Sequence, residues 1–343
     1  MRRLLNTLYV TGQNRYLSLD GENVVILEER EEIGRIPLHN LQSIVTFGYT
    51  GASPALMGAC AKRNIDLTFM SGNGRFLARV TGEVKGNVTL RKQQYRVSEN
   101  KEKSISIAKN FIFGKVYNAR WILERAIRDY PLRVNADMLK EKSTFLYHSL
   151  QEIRDCMDAS RLLGLEGEAA ALYFSVFDQL ILQQKESFSF QERSRRPPLD
   201  NVNAMLSFAY SLLAGMCGSA LEAVGLDPYV GFYHTDRPGR ISLALDVMEE
   251  LRGVMADRFV LTVINKRIIK KENFIHKENG AVILDDSGRK RFLSAWQERK
   301  QDVIKHPFLN EKIEWGMVPH AQAMLLARYL RGDLDEYPPF LWK

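Results

Sequence analysis

The chain is 343 residues long, with 45% hydrophobic and 26% charged residues, the composition of an ordinary globular protein of about two domains. Its 48 basic and 41 acidic residues leave a net charge of +7, which favours a polyanionic partner only weakly. Three widely spaced cysteines exclude a disulfide framework and a CxxC zinc motif, and the lack of an apolar run of about 18 residues argues against a membrane span, so we expect a cytoplasmic protein.

The first 80 residues are predicted to form β-structure, because short segments of strand-like composition alternate there with turn residues. Asp20-Gly21 between two such segments is a good hairpin signal. The stretch 71–74 lacks the glycine spacing and the following helix of a phosphate loop, so it predicts a plain hairpin turn. The predicted strands cover 7–10, 16–19, 24–27, 34–37, 43–46, 66–70 and 75–80, and a helix covers 53–62.

A polar stretch with two glycines at 81–87 is predicted to be a linker, and beyond it apolar residues recur every three or four positions nearly to the end. The predicted helices cover 105–129, 136–158, 162–183, 201–224, 242–257 and 319–331. The predicted fold class is therefore α+β. An N-terminal β-sandwich-like domain (1–80) is followed by the linker (81–87) and by a larger all-α domain (88–343).

Glu166 lies on the apolar face of a predicted helix. At about 100° per residue, Leu162, Leu165 and Ala169 form a stripe that includes Glu166, whereas Glu168 lies off it. A carboxylate on a buried face is costly unless a cation, a metal ion or hydrogen bonds compensate its charge. The alternative is a glutamate that reaches solvent or pairs with an arginine elsewhere, and the pattern by itself does not decide between the two.

A histidine and three carboxylates lie close together further along the chain. His234 ends an apolar run and opens a loop that contains proline and glycine, a position where functional residues concentrate, although a lone histidine there is more often structural. The helix predicted over 242–257 carries Asp246, Glu249 and Glu250 on the face opposite its apolar stripe. That face is ordinarily solvated, and periodicity does not say which of the three carboxylates would bind a metal ion.

Glu166, His234 and a carboxylate of the following helix together form a set of oxygen and imidazole ligands. Such a set suits Mn²⁺ or Mg²⁺ better than structural zinc, which favours thiolates. Basic clusters are candidates for phosphate contacts, although each cluster alone is more often a solvated charged face. Arg237 and Arg240 are favoured because they follow His234 closely, and Arg196 lies in a basic extended segment before the next predicted helix.

Three motifs occur in a defined order along the chain. They are LGLEGEAAALYF at 163–174, Arg196-Pro-Pro with NVNAMLS at 201–207, and GFYHTDRPGRISLALDVMEE at 231–250. No single motif would suffice, but their order and spacing, with a β-rich start and a helical remainder, cover nearly the whole chain. In these features the sequence resembles the CRISPR-associated integrase and endonuclease family Cas1, the catalytic subunit of spacer acquisition, and in detail its type I-C branch.

The resemblance implies metal ligands and catalytic residues at Glu166, His234 and Glu249, with Asp246 as an auxiliary acidic group. It implies a DNA endonuclease and integrase that uses Mn²⁺ or Mg²⁺ and inserts short fragments of double-stranded DNA as new spacers. In that reaction the 3′-hydroxyl of the fragment attacks a phosphodiester at the border of a repeat. The resemblance further implies a homodimer formed through the N-terminal domains and a small partner protein, Cas2, that bridges two such dimers.

Two other classes of function stay open on the residues alone. A non-catalytic nucleic-acid scaffold would use only the basic surface, and an unrelated metallohydrolase would act on small phosphoesters. The apolar setting of Glu166 favours the two catalytic classes over the scaffold, and the three motifs together favour the integrase.

Overall fold

A computed structural model describes residues 6–11, 14–72, 76–80, 82 and 88–343 of the chain. Its N-terminal part contains strands β1 (Thr7–Val10), β2 (Arg15–Asp20), β3 (Asn23–Glu28), β4 (Glu31–Pro37), β5 (Ser43–Phe47), β6 (Gly51–Ala52), β7 (Asp66–Met70) and β8 (Phe76–Val80). They form two four-stranded sheets, of order β1-β5-β7-β8 and β4-β3-β2-β6. The predicted β-rich start is confirmed, and β6 is a short strand that was not predicted.

The hairpin between β2 and β3 turns where the sequence indicates. Asp20 pairs with Asn23, and Gly21 has a φ of +55°, a left-handed conformation that favours glycine. Strands β7 and β8 are likewise antiparallel neighbours. Two predicted features lie wholly or partly outside the described residues. They are residues 73–74 of the hairpin turn predicted at 71–74 and, apart from Gly82, the linker predicted at 81–87. The domain boundaries therefore stay a prediction.

Helix α1 (Pro54–Arg63) packs with the two sheets around a core of its own. The side-chain oxygen of Ser53 caps this helix by accepting a hydrogen bond from the amide of Leu56 at 3.2 Å. Leu17, Ile44 and Leu67 lie in the buried cluster of this part and have no exposed surface. The alternation of inward and outward side chains along these strands thus buries one apolar face of each sheet.

The remainder of the described chain is mainly helical. It contains α2 (Val88–Glu99), α3 (Lys101–Asp129), α4 (Ala136–Asp155), α5 (Ala159–Ser175), α6 (Asn201–Val224), α7 (Ser242–Leu251), α8 (Arg258–Asn265), α9 (Asp286–Gln301) and α10 (Val318–Arg331). Two short antiparallel hairpins interrupt them, β9 (Phe274–His276) with β10 (Val282–Leu284) and β11 (Val303–Lys305) with β12 (Lys312–Glu314). The predicted fold class is confirmed, with these hairpins as an addition to the region predicted to be all-α.

Two predicted helices end earlier than expected. The helix predicted to reach 158 ends at Asp155, since the carboxylate of Asp158 caps α5 by accepting from the amide of Arg161 at 2.8 Å. The helix predicted to reach 183 ends at Ser175. Beyond it the carboxylate of Asp178 accepts from the amide of Phe190 at 2.9 Å.

The helix predicted over 242–257 is regular only as far as Leu251. Residues Arg252–Asp257 form a π-helical turn, which is uncommon and is often found at functional sites. Helices α2, α8 and α9 were not predicted. In α9 the apolar residues are sparse, since Phe292, Leu293 and Trp296 are buried within an otherwise charged sequence.

The two parts of the chain meet through apolar and charged contacts. The ring of Phe47 on β5 lies 5.9 Å from that of Phe208 on α6. Arg79 on β8 forms ion pairs with Asp66 at 3.2 Å and with Glu222 on α6 at 2.9 Å. These ion pairs connect strand β8 to helix α6. Arg79 is largely enclosed, so its charge needs both partners.

Helix α6 lies at the centre of the helical part. Within the described residues it is the one helix long and apolar enough to cross a membrane, by length and composition alone. Val202, Met205, Leu206 and Leu213 are nevertheless nearly inaccessible, and the helix packs against α7 and α10. Burial of this kind is what a core helix shows.

Candidate active site

Gly114 allows α3 and α7 to cross at close range. A Cβ at this position would lie 2.8 Å from the Cβ of Glu250 on α7, closer than packed carbon atoms approach, so the crossing requires glycine. The residue after Gly114 is Lys115, and the residue before Glu250 is Glu249. The close crossing therefore brings a lysine of α3 beside a glutamate of α7.

The ammonium of Lys115 joins two glutamates that come from different helices. Its Nζ contacts Oε1 of Glu166 on α5 and lies 2.6 Å from Oε2 of Glu249 on α7. The exposed fractions of the three side chains are 11%, 18% and 7%. Glu166 thus projects toward the interior, as its place in the apolar stripe predicts, and a cation compensates its charge.

Glu249 is held in its ionised form. Arg252 donates from Nη1 to Oε1 and Oε2 of Glu249 at 3.2 and 3.0 Å. Burial alone would raise the pKa of Glu249, but the charges of Arg252 and Lys115 outweigh burial and keep this pKa well below its ordinary value. The carboxylate is therefore negative at neutral pH, the form that binds a cation.

Asp246 organises the loop that carries His234. Its Oδ2 accepts hydrogen bonds from the amides of Phe232 and Tyr233 at 2.7 and 3.0 Å, and its Oδ1 accepts from the amide of His234 at 2.9 Å. A Cβ on Gly231 would lie 2.9 Å from Oδ2 of Asp246. The chain can wrap the carboxylate this closely because residue 231 is glycine.

The imidazole of His234 is oriented by the same carboxylate. Its Nδ1 lies 2.6 Å from Oδ1 of Asp246, so we assign the proton to Nδ1 and the lone pair to Nε2. An imidazole with one nitrogen on a carboxylate is the usual setting of a metal-binding histidine. The neighbouring Tyr233 donates its hydroxyl to Oε2 of Glu166 at 3.4 Å. The loop therefore brings His234 to the region where Glu166 and Glu249 meet.

The acidic face of α7 is buried, so the expectation of a solvated face is wrong. Asp246, Glu249 and Glu250 are 0%, 6% and 0% exposed, because α3, α6 and α10 pack around α7. The three carboxylates point to different partners. Asp246 binds the loop amides, Glu250 accepts from the amide of Phe340 at 2.6 Å, and Glu249 contacts Lys115. The structure thus gives each of the three carboxylates a different partner, which helical periodicity could not do.

The three arginines predicted to contact phosphates lie on the surface. Arg237 is exposed and Arg240 half-buried, in the turn that follows His234, where the amide of Arg240 donates to the carbonyl of Arg237 at 3.0 Å. Arg196 is exposed in the segment before α6. Within the described part of the chain, no ion pair with an acidic side chain engages any of the three.

Arg252 connects the site to the basic segment at 193–196. Its guanidinium lies 4.5 Å from the centre of the Tyr210 ring, and that of Arg193 lies 5.3 Å from the same centre. The hydroxyl of Tyr210 donates to Oδ1 of Asp257 at 2.5 Å. These contacts stabilise the buried charge of Arg252 beside Glu249 and the half-buried charge of Arg193. Sequence reasoning did not single out Arg252, although its spacing of three from Glu249 on a helix was a usable signal.

Lys115 is a second residue of this site that sequence reasoning missed. It lies within the apolar stripe of α3, since the residues three, four and seven positions from it include buried Ala108, Phe111, Ile112 and Ala119. A charged residue in an apolar stripe is the same signal that identified Glu166. The two helices therefore carry complementary buried charges, which the pattern of either helix alone does not reveal.

The donor groups suit a divalent cation. Within the described residues no group of three acidic, histidine or cysteine side chains is already arranged to hold a metal ion. However, two carboxylates from different helices already share one positive charge, the Lys115 ammonium. Two carboxylates and an imidazole are ligands that Mn²⁺ and Mg²⁺ accept. The residues present therefore fit such an ion, provided that the lysine moves.

Comparison with known proteins gives a consistent result along the whole chain. The family model described as CRISPR associated protein Cas1 matches residues 8–298. A CRISPR-associated endonuclease Cas1 of Rhodospirillum rubrum is 51% identical over 347 aligned positions, covering 100% of both chains. A protein of the same description from Chlorobaculum tepidum is 48% identical over 343 positions, again covering 100% of both chains.

Solved structures share the fold. A casposase bound to an integration product has a TM-score of 0.84 and 24% identity, covering 98% of this chain and 94% of its own. A chain of a Cas6-RT-Cas1–Cas2 complex has a TM-score of 0.80 and 21% identity, covering 98% of this chain and 36% of its own. At these identities the match concerns the fold and not the identity of individual side chains.

Proposed function

This chain belongs to the CRISPR-associated Cas1 family, and from this membership we propose that it is a DNA endonuclease and integrase of CRISPR adaptation. The observation that carries the proposal is the meeting of Glu166 and Glu249 around one buried positive charge. Tyr233, which contacts Glu166, directly precedes a histidine oriented by Asp246. A site of this kind is poised to exchange an internal cation for a metal ion. The solved casposase, which is bound to an integration product, supports this class of chemistry for the fold.

In the finer form of the proposal, Glu166, His234 and Glu249 hold Mn²⁺ or Mg²⁺. The ion would supply a Lewis acid for the phosphoryl oxygens and would lower the pKa of the attacking hydroxyl group or water. With the 3′-hydroxyl of a short DNA fragment as nucleophile, a new phosphodiester would join the fragment to the border of a repeat, and the attacked phosphodiester of the repeat strand would break with release of that strand's 3′-hydroxyl. With water as nucleophile, the same site cleaves DNA.

The protein's own residues have separate tasks in this proposal. Asp246 fixes the orientation of His234 and carries no ligand role, because amides and the imidazole already occupy both of its oxygens. Arg252 keeps Glu249 ionised and adds positive charge beside the reacting phosphate. Arg237 and Arg240 lie on the loop after His234 and are suited to hold phosphate oxygens on the DNA backbone.

The proposed partners follow from the family and the fold. Double-stranded DNA is the proposed substrate, and Arg196 extends the proposed phosphate-binding surface. We propose a homodimer formed through the N-terminal part, where Tyr49, Phe76 and Leu77 are 90%, 51% and 54% exposed. The shared fold with a chain of a Cas1–Cas2 complex supports Cas2 as a further partner. A cytoplasmic location and the type I-C branch stay predictions.

The proposal is tested with labelled duplex fragments and a plasmid that carries a CRISPR repeat. We expect cleavage and fragment joining in Mn²⁺ or Mg²⁺ and neither in excess chelator. DNA binding that is unaffected by chelator, with no cleavage in any metal, would instead indicate a scaffold. Turnover of a chromogenic phosphodiester without cleavage of DNA would indicate a hydrolase of small phosphoesters.

Asp246→Asn is expected to slow DNA cleavage by roughly 10–100-fold, the usual effect of losing the group that orients a metal-binding histidine. In this variant the side-chain amide nitrogen would replace one carboxylate oxygen. That nitrogen cannot accept the hydrogen bonds that the oxygen now accepts from backbone N–H groups or from the imidazole. The measurement is the initial cleavage rate at saturating Mn²⁺, together with the melting temperature. The matched control is Asp236→Asn on the same loop, since exposed Asp236 accepts from the amide of Gly231 at 3.2 Å and makes no hydrogen bond to His234 among those of the described residues. Equal rates for both variants would contradict the orienting role of Asp246.

A further inference from the structure

Among the ion pairs of the described residues, Lys115 is the one cation that contacts both Glu166 and Glu249. Arg252 pairs with Glu249 alone, whereas the Lys115 ammonium contacts Glu166 and Glu249 together. We propose that Lys115 is a built-in counter-ion that stabilises the metal-free site and competes with the divalent metal ion for the two carboxylates. This inference rests on the proposed function, because it concerns the same site.

The metal-free site needs such a cation. Two carboxylates that are at least four-fifths enclosed repel each other and lose hydration, and this penalty falls when a positive group lies between them. The three side chains come from α3, α5 and α7, so no local backbone geometry forces the lysine into this position. The attraction of the two negative carboxylates explains the position of the ammonium.

The ammonium and a metal ion cannot both occupy this position. The Nζ atom lies 2.6 Å from Oε2 of Glu249 and also contacts Glu166, and a metal ion bound by both carboxylates requires oxygen atoms at about 2.1 Å for Mg²⁺. Binding of the ion by Glu166 and Glu249 therefore displaces the ammonium. The apparent metal affinity is then the intrinsic affinity multiplied by the fraction of molecules in which the lysine has left the glutamates.

A small pocket adjoins the site on the side of Lys115. Its walls are mainly apolar, and its lining includes Lys115, Val116, Ala119, Tyr173, Arg252 and Asp257. The carboxylate of Asp257 is the acidic group that this pocket offers to a displaced ammonium.

Removal of the competing charge is expected to tighten metal binding. We expect Lys115→Met to bind Mn²⁺ about tenfold more tightly than the wild type. A tenfold change corresponds to a wild type in which the Lys115 ammonium occupies the site in roughly nine molecules of ten. The same variant should have a lower melting temperature without metal and a larger rise on addition of Mn²⁺. Lys115→Arg, which keeps the charge, should retain the wild-type affinity within a few-fold. Titration calorimetry with Mn²⁺ alone and thermal melting give these readouts without DNA.

Lys109→Met is the matched control, because half-buried Lys109 lies on the same helix outside the site and donates to the carbonyl of Arg154 at 3.0 Å. Its Mn²⁺ affinity should equal that of the wild type. If the wild type binds Mn²⁺ and Lys115→Met binds it equally or more weakly, the counter-ion inference is overturned while the proposed metal site stands. If no variant binds Mn²⁺, the proposed metal site and this inference fail together.

A second measurement uses the unmodified chain and does not depend on the stability of any variant. Reductive methylation followed by mass spectrometry reports the accessibility of each lysine amine. Saturating Mn²⁺ is expected to increase the labelling rate of Lys115 severalfold and to leave that of Lys109 unchanged. An unchanged or slower labelling of Lys115 in Mn²⁺ would show that the ion does not displace it.

Discussion

Replacement of Glu166 by glutamine is expected to lower metal-dependent DNA cleavage and fragment joining by a factor on the order of 10³ or more. The substitution keeps the size of the side chain and removes the charge that faces Lys115. Glu249→Gln is expected to have the same effect, since Glu249 is the second carboxylate at that cation. Both variants are measured by initial rates on labelled duplex DNA in saturating Mn²⁺.

Glu168→Gln is the matched control for this prediction. Glu168 lies two positions further along α5 and is exposed, so the change removes the same charge outside the site. We expect the control to retain the wild-type rate, and circular dichroism should show that all three variants are folded. Full activity of the folded Glu166→Gln and Glu249→Gln variants would refute the proposed metal site.

The second prediction concerns the stability of the helical part. Through Glu250 alone, the free energy of unfolding is expected to decrease by about 2–3 kcal/mol between roughly pH 5 and pH 8. Glu250 is completely buried, and burial raises its pKa from 4.5 to about 7, although hydrogen bonds from Tyr337, Phe340 and Gln322 oppose the rise. Most of this loss is therefore expected as the pH rises from about 5 to about 7.

The sign follows from the order of the two pKa values. Because the pKa of Glu250 is higher in the folded protein than in the unfolded chain, the folded state holds this proton more tightly. The stabilisation is complete below the unfolded-state value and is lost as pH rises through the folded-state value near 7. Above that value the folded protein contains an ionised, buried carboxylate.

Denaturant unfolding at several pH values measures this dependence in the wild type and in Glu250→Gln. The glutamine is neutral at every pH, so the difference between the two curves isolates the contribution of Glu250. Glu336→Gln, an exposed change in the same C-terminal segment, should follow the wild-type curve. Parallel curves for wild type and Glu250→Gln would contradict a raised pKa at this residue.

The fold was predictable where local signals agree with tertiary packing. The strands of the first 80 residues follow from alternation and from turn residues such as Gly21, whose positive φ is a local property. Helices α3 and α6 follow from apolar periodicity. Helix α9 and the two small hairpins were missed, because their few apolar residues are buried only by contacts with distant parts of the chain.

The candidate site was predictable in part. Glu166 could be identified because a charge within an apolar stripe needs compensation, and Lys115 meets the same criterion on α3 but was not recognised. Glu249 could be selected from among the three carboxylates of α7 only through the family resemblance. A helix pattern reports which face a residue occupies, and it does not report which other helix covers that face.

The sequence by itself determined the order of a β-rich and a helical part, the place of Glu166 on the apolar face of a helix, and the family resemblance. The tertiary structure alone decided that Asp246 binds the loop amides, that Glu250 binds the C-terminal segment and that Glu249 meets Glu166 at Lys115. The physical reason is that these roles depend on contacts between residues more than ten positions apart. The contact of Glu249 with Lys115, for example, follows from the close crossing of α3 and α7 at Gly114, which no local periodicity encodes.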